Sequence, residues 1–335
     1  MQKLTFTIFS DFHYKKGMYA STVTHMNEIT RRAKDSGSEF LIHCGDFCND
    51  YAGSPEVTDA YLNNRHNLPV YGIYGNHELE TAGNTMAVVT PLLCNRNVNF
   101  PGAKAGHWYT DMGEYRIIGL DTNYSATAAE MWEHNRPASW GPPAENYFGN
   151  SLGEDQLNWL GSILDDAAEK NLHCIVFSHA GLSSKWSESP DGPIARSLFR
   201  QVNRKHPGTV VLAVNGHLHT DHFAAEDNIC YFDANTVHNG FWSPRKDFHY
   251  SDSQEYLFTD YRDGKAQETS LRPLNSLSQA RNTWFFTEPL SAVVTVDDSG
   301  IRIDGSTTHW MHGVEPDQSH DGVKPAIVSR EYRFE

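Results

Sequence analysis

The sequence predicts an α/β protein assembled from strand, loop, helix, strand units around largely parallel sheet. Two patterns carry this reading. Short apolar or β-branched runs recur, and each ends in a polar, chemically capable residue: LTFTIFS before Asp11, FLIHCG before Asp46, PVYGIYG before Asn76, RIIGLD before Thr122, HCIVFS before His179 and TVVLAVNG before His217. Between several of them lie stretches with apolar residues at helical spacing. TVTHMNEITRRAKDSG closes on Gly37, and GEDQLNWLGSILDDAAEKN opens with a capping-like start. This alternation is the signature of βαβ units. In such sheets ligands bind at the carboxyl ends of the strands.

Composition narrows the function classes. A chain of 335 residues with ample apolar content can bury one large core or two modest ones. Its 27 Lys and Arg against 42 Asp and Glu give a net charge of −15, which argues against a sequence-independent grip on nucleic-acid phosphates and against anionic membranes. The cysteines, at 44, 48, 94, 174 and 230, are odd in number and thinly spread, unlike a disulfide-stapled secreted domain. A reducing compartment and a cytoplasmic location are expected. Cys44 and Cys48 have no second pair to complete a zinc site and read as buried small residues. The N-terminal MQKLTFTIFSDFH enters a strand pattern at once, without the apolar run of a signal peptide. No stretch approaches the roughly 18 apolar residues of a membrane span.

The strand tips collect an unusual set of side chains. In chain order they are Asp11 and His13, then Asp46, then Asn76 and His77, then His179, then His217 and His219. A single histidine at a strand end is ordinarily a hydrogen-bonded structural residue. Five such tips in one chain supply seven oxygen or nitrogen ligands, enough for two cations that share a carboxylate. The mixture of imidazole, carboxylate and amide suits Mn, Fe or Zn rather than Ca. Gly45, Gly75 and Gly216 each immediately precede a ligand, where the backbone must turn sharply and come close. The tetrapeptide DFHY occurs twice, at residues 11–14 and 247–250. Only the first copy follows an apolar strand; the second follows the polar loop FWSPRK, and Asp247 and His249 are expected to be ordinary loop residues.

DFH, GDFCN, GNHE, SHAG and GHLH, in this order across residues 11–219, resemble the five signature blocks of the calcineurin-like metallophosphoesterase superfamily. The later DTNY and QLNWL segments resemble it too. The resemblance implies a four-layer αββα sandwich of two mixed β-sheets with a dinuclear metal centre at its edge. It implies one ion between Asp11, His13, Asp46 and His219, and a second between Asp46, Asn76, His179 and His217, with Asp46 as the bridge. His77 would face the substrate beside Asn76, as a general acid or a positive contact to the leaving oxygen. Two ions roughly 3.5–4 Å apart lower the pKa of a bridging water, so hydroxide becomes the nucleophile near neutral pH, with Asp46 and His77 serving the chemistry. One position departs from the pattern. Several branches have Asp three residues after the bridging one, paired with the histidine; here it is Asn49, which would lower the His77 pKa and weaken its acid role unless Asp50 substitutes.

Specificity is expected in loops after the tips: residues 124–150, 181–193 and 238–261. Trp132, Trp140, Trp186 and Trp242 could stack on a base or anchor the loops, and Lys185, Arg196 or Arg245 could meet a phosphate or lie on the surface. The resemblance fades after about Asn239. PLSAVVTVDDSGIRIDGST reads as two strands and PAIVSREYRF as a closing strand, extending the second sheet, while the polar stretch at 263–283 reads as a mobile crossing segment. The chain is expected to be one domain, 1–335, with insertions near 124–150 and 238–288. The leading function is hydrolysis of a small-molecule phosphomonoester or phosphodiester. A nuclease is disfavoured by the net charge, and a non-catalytic metal-binding interaction protein by the intact ligand set and His77.

Overall fold

The computed structural model describes residues 1–16, 21–78, 84–102, 105–124, 150–186, 189–240, 250–251, 253–262, 265–276, 283–313 and 324–334. Its first unit runs β1 (Leu4–Phe9), α1 (Val23–Asp35), β2 (Phe40–His43), α2 (Pro55–Leu62), β3 (Val70–Gly72) and α3 (Met86–Leu93), with the three strands parallel. The second has β4 (Trp108–Met112) antiparallel to β5 (Tyr115–Gly119), then α4 (Glu154–Glu169), β6 (His173–Phe177), α5 (Gly192–Lys205), β7 (Val210–Asn215) and the hairpin β8 (His222–Glu226) and β9 (Ile229–Asp233). Strands β5, β6, β7 and β9 are parallel.

The carboxy-terminal third adds β10 (Asn239–Gly240), β11 (Glu255–Arg262), β12 (Lys265–Pro273), β13 (Trp284–Phe285), β14 (Ala292–Asp297), β15 (Gly300–Asp304) and β16 (Arg330–Arg333). Two expectations fail here. The closing strands do not extend the second sheet: β14 pairs antiparallel with β1, giving the order β16-β15-β14-β1-β2-β3. Strand alternation says only that Ala292, Val294 and Val296 share a buried face, not which edge receives them. Nor is 263–283 simply a crossing segment, because Lys265–Pro273 pairs with Glu255–Arg262 in a long hairpin.

The layers follow from period two. Phe6 and Ile8 of β1, Phe40 and Ile42 of β2, and Ile175 and Phe177 of β6 point into one core between the sheets. Phe9 and Leu41 face the other way, onto Val23, Met26 and Ile29 of α1 and Tyr61 of α2. Cys174 and Val176 turn toward Leu160 and Leu164 of α4 and Phe199 of α5. The result is helix, sheet, sheet, helix. Each fully buried apolar side chain of this size contributes about 1.5–3 kcal/mol, enough to hold the sheets in register. Helix α1 begins with a reciprocal cap, Thr22 Oγ1 accepting from His25 N and Thr22 N donating to His25 Nδ1. The start of α4 has Gly153 without a side-chain cap; the Asp191 carboxylate accepts from Leu152 N and Gly153 N instead. All five cysteines are free thiols. Among the described residues no helix is long and apolar enough to cross a membrane.

Candidate metal centre

Parallel strands from both sheets deliver their carboxyl ends to one edge. Beyond those ends the tips are laced by backbone hydrogen bonds: Asp11 N to Gly45 O, His13 N to Asp46 O and Gly216 N to His179 O. The segment after β9 crosses between the sheets, Val237 N donating to Ser10 O and Thr236 Oγ1 to Asp11 O. The backbone at the tips is bent into the left-handed region at Asp11 (φ 54°), His13 (48°), Asp46 (52°), His217 (71°) and His219 (55°). Such conformations cost about 1–3 kcal/mol each and persist where surrounding structure over-determines them. Gly75 is needed here, because a Cβ would strike the Asp46 carboxylate and backbone N; at Gly216 it would strike Ser10 and Asp11.

The strand tips bring all eight singled-out side chains together. Asp11 Oδ1 lies 3.2 Å from His219 Nε2 and 3.8 Å from His13 Nε2, and the two imidazole nitrogens are 3.2 Å apart. On the other side His179 Nε2 is 3.2 Å from Asp46 Oδ2, 3.0 Å from Asn76 Oδ1 and 3.1 Å from His217 Nδ1. Asp46 Oδ2 is shared: it is also 3.7 Å from His13 Nε2 and 3.9 Å from His77 Nε2. Among the described residues three overlapping groups have the spacing to hold an ion: Asp11, His13 and His219; His13, Asp46 and His77; and Asp46, His179 and His217. His77 therefore converges on the same point as the ligand set.

Asp11, His13, Asp46, Asn76, His179 and His219 are buried, His77 and His217 partly so, and their charges act on one another. Burial opposes ionisation of Asp11 and of Asp46, yet His219 and His179 around the first, and His179 and His77 around the second, hold both below the usual carboxylate range. Burial likewise opposes a proton on His179, but Asp46 and Asp11 push it up to about 10. His13 and His217 are driven by burial down to about 3 and about 4, so their nitrogens keep lone pairs available. Asp11 Oδ1 is buried and, among the described residues, has no hydrogen-bond partner. Two buried carboxylates with an orphaned oxygen and neutral imidazoles pointing inward make a donor set that fits a cation.

Supporting residues complete the frame. Glu78, not singled out from the sequence, is buried and accepts from Asp46 N (2.8 Å), Phe47 N (2.6 Å) and Gly75 N (2.5 Å), so one carboxylate clamps two tips. Burial and the Asp46 charge raise it to about 7. The available signal was an acid directly after Asn76 and His77, beside two tight turns whose N–H groups need acceptors. Asn123 Nδ2 donates to Gly75 O, and Cys44 O meets His179 Nδ1 at 2.7 Å, orienting that ring. Asn49 stands between His13 and His77, its Oδ1 3.3 Å from His13 Nδ1 and its Nδ2 3.1 Å from His77 Nδ1. The Asp50 carboxylate instead accepts from Gly53 N at 2.9 Å.

Trp186 stacks on His222 (4.4 Å, 12°), and Arg196 donates to the Leu182 and Ser183 carbonyls. Lys185 Nζ is 6.0 Å from the Trp186 ring centre. Trp132, Trp140, Trp242 and Arg245 lie outside the described residues, as do Asp247 and His249 of the second DFHY. Its Tyr250 is buried with Tyr256, Leu274, Phe285 and Met311 in a separate apolar cluster.

Comparison with known proteins agrees with the geometry. The calcineurin-like phosphoesterase family matches residues 4–221, and this chain belongs to that family, whose members are dimetal-dependent. A manganese-dependent ADP-ribose/CDP-alcohol diphosphatase of Arabidopsis thaliana is 28% identical over 174 residues. That match takes in 43% of this chain, which spans about half (53%) of the relative's length. The crystal structure of a dimetal phosphatase from Danio rerio superposes with a TM-score of 0.55 at 12% identity, covering 92% of this chain and 98% of that one. It shares the fold.

Proposed function

We propose that this chain is a metal-dependent hydrolase of small-molecule phosphate esters. In this reading one ion is held by Asp11, His13, Asp46 and His219, and the other by Asp46, Asn76, His179 and His217. The observation that carries it is the shared position of Asp46 Oδ2, which faces His179 at 3.2 Å in one set and His13 at 3.7 Å in the other. Bound there, the two ions supply the positive charge that offsets charge growing on phosphoryl oxygens and activate water. The protein's own residues do the rest. Asp46 Oδ1 accepts from His77 N at 2.8 Å, which fixes His77 beside the cluster, and the His77 ring, 14% exposed, reaches toward solvent. It is placed to meet a leaving-group oxygen through Nε2. Glu78 and Asn123 hold the Gly75 turn so that Asn76 and His77 present their side chains together.

The likeness to the Arabidopsis manganese-dependent ADP-ribose/CDP-alcohol diphosphatase supports manganese and a diphosphate joined to a nucleoside as starting points for assay. The experiment is one panel with Mn²⁺: p-nitrophenyl phosphate, bis-p-nitrophenyl phosphate, cyclic nucleotides and ADP-ribose, run beside Asp46→Asn. Turnover of at least one, lost in the variant, is expected. No turnover of any by protein carrying two equivalents of metal would remove the hydrolase reading in favour of a metal-binding interaction protein.

A further inference from the structure

We propose that residues 324–330 form a strap that positions one of the two ion sites. Arg330 and Lys324, acting on Asp221, and the strap carbonyls, acting on Asn235, hold His219 and Asp11 in place. Asp221 and Arg330 are thus positioning residues for the ion that Asp11 and His219 would share with His13. The consequence for metal rests on the two-ion reading above; the geometry of the strap does not.

The backbone sets the requirement. Asp11 and His219 both stand in the left-handed region, at φ 54° and 55°. A non-glycine residue keeps such a conformation only where the structure around it over-determines it. Ahead of His219 the turn is held by His217 N, which donates to Asp11 Oδ2 at 3.0 Å. Beyond His219 it is held by Thr220 Oγ1, which donates to Asp233 Oδ2 at 2.9 Å, and by the Asp221 carboxylate. The Asp221 side chain is fully buried, and a buried carboxylate needs donors and a countercharge. Four contacts come from the strap: Arg330 Nη1 to Oδ1 and Nη2 to Oδ2, both at 2.7 Å, Lys324 Nζ to Oδ2 at 3.0 Å, and Val328 N to Oδ2 at 3.2 Å. A parallel arginine fork fixes the orientation of the carboxylate as well as its charge.

The same strap reaches Asp11 by a second route. Asn235 Nδ2 donates to Lys324 O at 2.7 Å and to Ala326 O at 3.0 Å, and its Oδ1 accepts from Thr236 N at 2.9 Å. Thr236 Oγ1 then donates to Asp11 O at 2.9 Å. The strap is fixed from its outer side in turn: Ile327 is buried between the sheets, Ile327 N donates to Ser306 O, and Arg330 opens β16 opposite Ile303 of β15. Asn76 and His179 are supported from elsewhere, by Glu78 and Asn123 around Gly75 and by Cys44 O. The strap therefore bears on Asp11 and His219, and the two ions are expected to respond to it unequally.

The test is Arg330→Ala. In the metal-free protein, amide hydrogen exchange by NMR compares His217 N with the Asp46, Phe47 and Gly75 amides that Glu78 holds. The ratio of the His217 rate to theirs is expected to rise at least about tenfold; an unchanged ratio overturns the proposal. With Mn²⁺, titration calorimetry is expected to show that the ion weakened by His219→Ala also loses about 10–100-fold in Arg330→Ala, while the ion weakened by His179→Ala stays within about twofold. Weakening of both ions alike, or of neither, overturns it. Val296→Ala separates positioning from general loosening, because Val296 lies in the core between the sheets and pairs with Leu4 at the start of β1. It is expected to lower Tm with the exchange ratio and both affinities kept; selective loss of the first ion there too would overturn the proposal. If Arg330→Ala does not fold, Arg330→Lys, which keeps the charge and gives up the fork, is read by the same criteria. Failure of the two-ion reading looks different: wild-type protein then takes up fewer than two equivalents of Mn²⁺, and the exchange ratio alone decides whether the strap holds the turn.

Discussion

Asp46→Asn is the perturbation that most directly probes the shared position. Asparagine keeps the volume and an oxygen that can accept from His77 N, as Asp46 Oδ1 does at 2.8 Å, so the turn at Gly75 is left in place. It removes the charged oxygen common to both proposed ligand sets, which would leave each with three donors of four. Losing even an outer partner of a ligand typically weakens metal binding about 10–100-fold. Applied to each ion, that is about 10²–10⁴ for the pair, or roughly 2.7–5.5 kcal/mol at about 1.36 kcal/mol per decade. The protein would be reconstituted with Mn²⁺, desalted and analysed for metal, with titration calorimetry giving the two affinities. Two equivalents are expected for wild type and fewer than one for the variant. Retention of two ions, or loss of one with the other at wild-type affinity, would refute a bridging Asp46.

Three further outcomes are expected. His13→Ala should lose metal and activity while His249→Ala keeps both equivalents, as measured by metal content and kcat/KM; the opposite result would move the site to the second DFHY. Gly75→Ala should lose metal with the fold retained by circular dichroism, because its Cβ would occupy the space of the Asp46 carboxylate. His238 is buried with neither ring nitrogen hydrogen-bonded among the described residues, and burial and the neighbouring His25 hold it well below its ordinary 6.5. The unfolded chain takes up that proton as pH falls below about 6.5 and the folded protein does not, so stability is lost on acidification. His238→Leu should therefore gain more at pH 5 than at pH 8, by about 2 kcal/mol in urea unfolding of the metal-free protein; an equal gain at both would refute a neutral buried His238.

Much of the framework was legible in the chain itself. The apolar runs that end at Asp11, Asp46, Asn76, His179 and His217 are strands, and α1 and α4 lie where helical spacing places them. Period-two and 3.6-residue patterns are local properties, written into consecutive residues. Glycines before the tip residues were legible for the same reason, since a turn that admits no Cβ leaves its mark at one position. What the chain could not declare were matters of partner choice. Unpaired strand edges look alike in sequence, so the pairing of β14 with β1 was decided by which face the two sheets bury between them. Glu78 reads as one more acid until folding sets it against the Asp46, Phe47 and Gly75 N–H groups. Asn49 and Asp50 are neighbours of nearly equal size at a bend in the chain. The Asp50 carboxylate takes the Gly53 N–H three residues on, a local turn contact, whereas tertiary structure alone brought the amide of Asn49 to His13 and His77, because a buried polar atom settles where its hydrogen-bonding partners are.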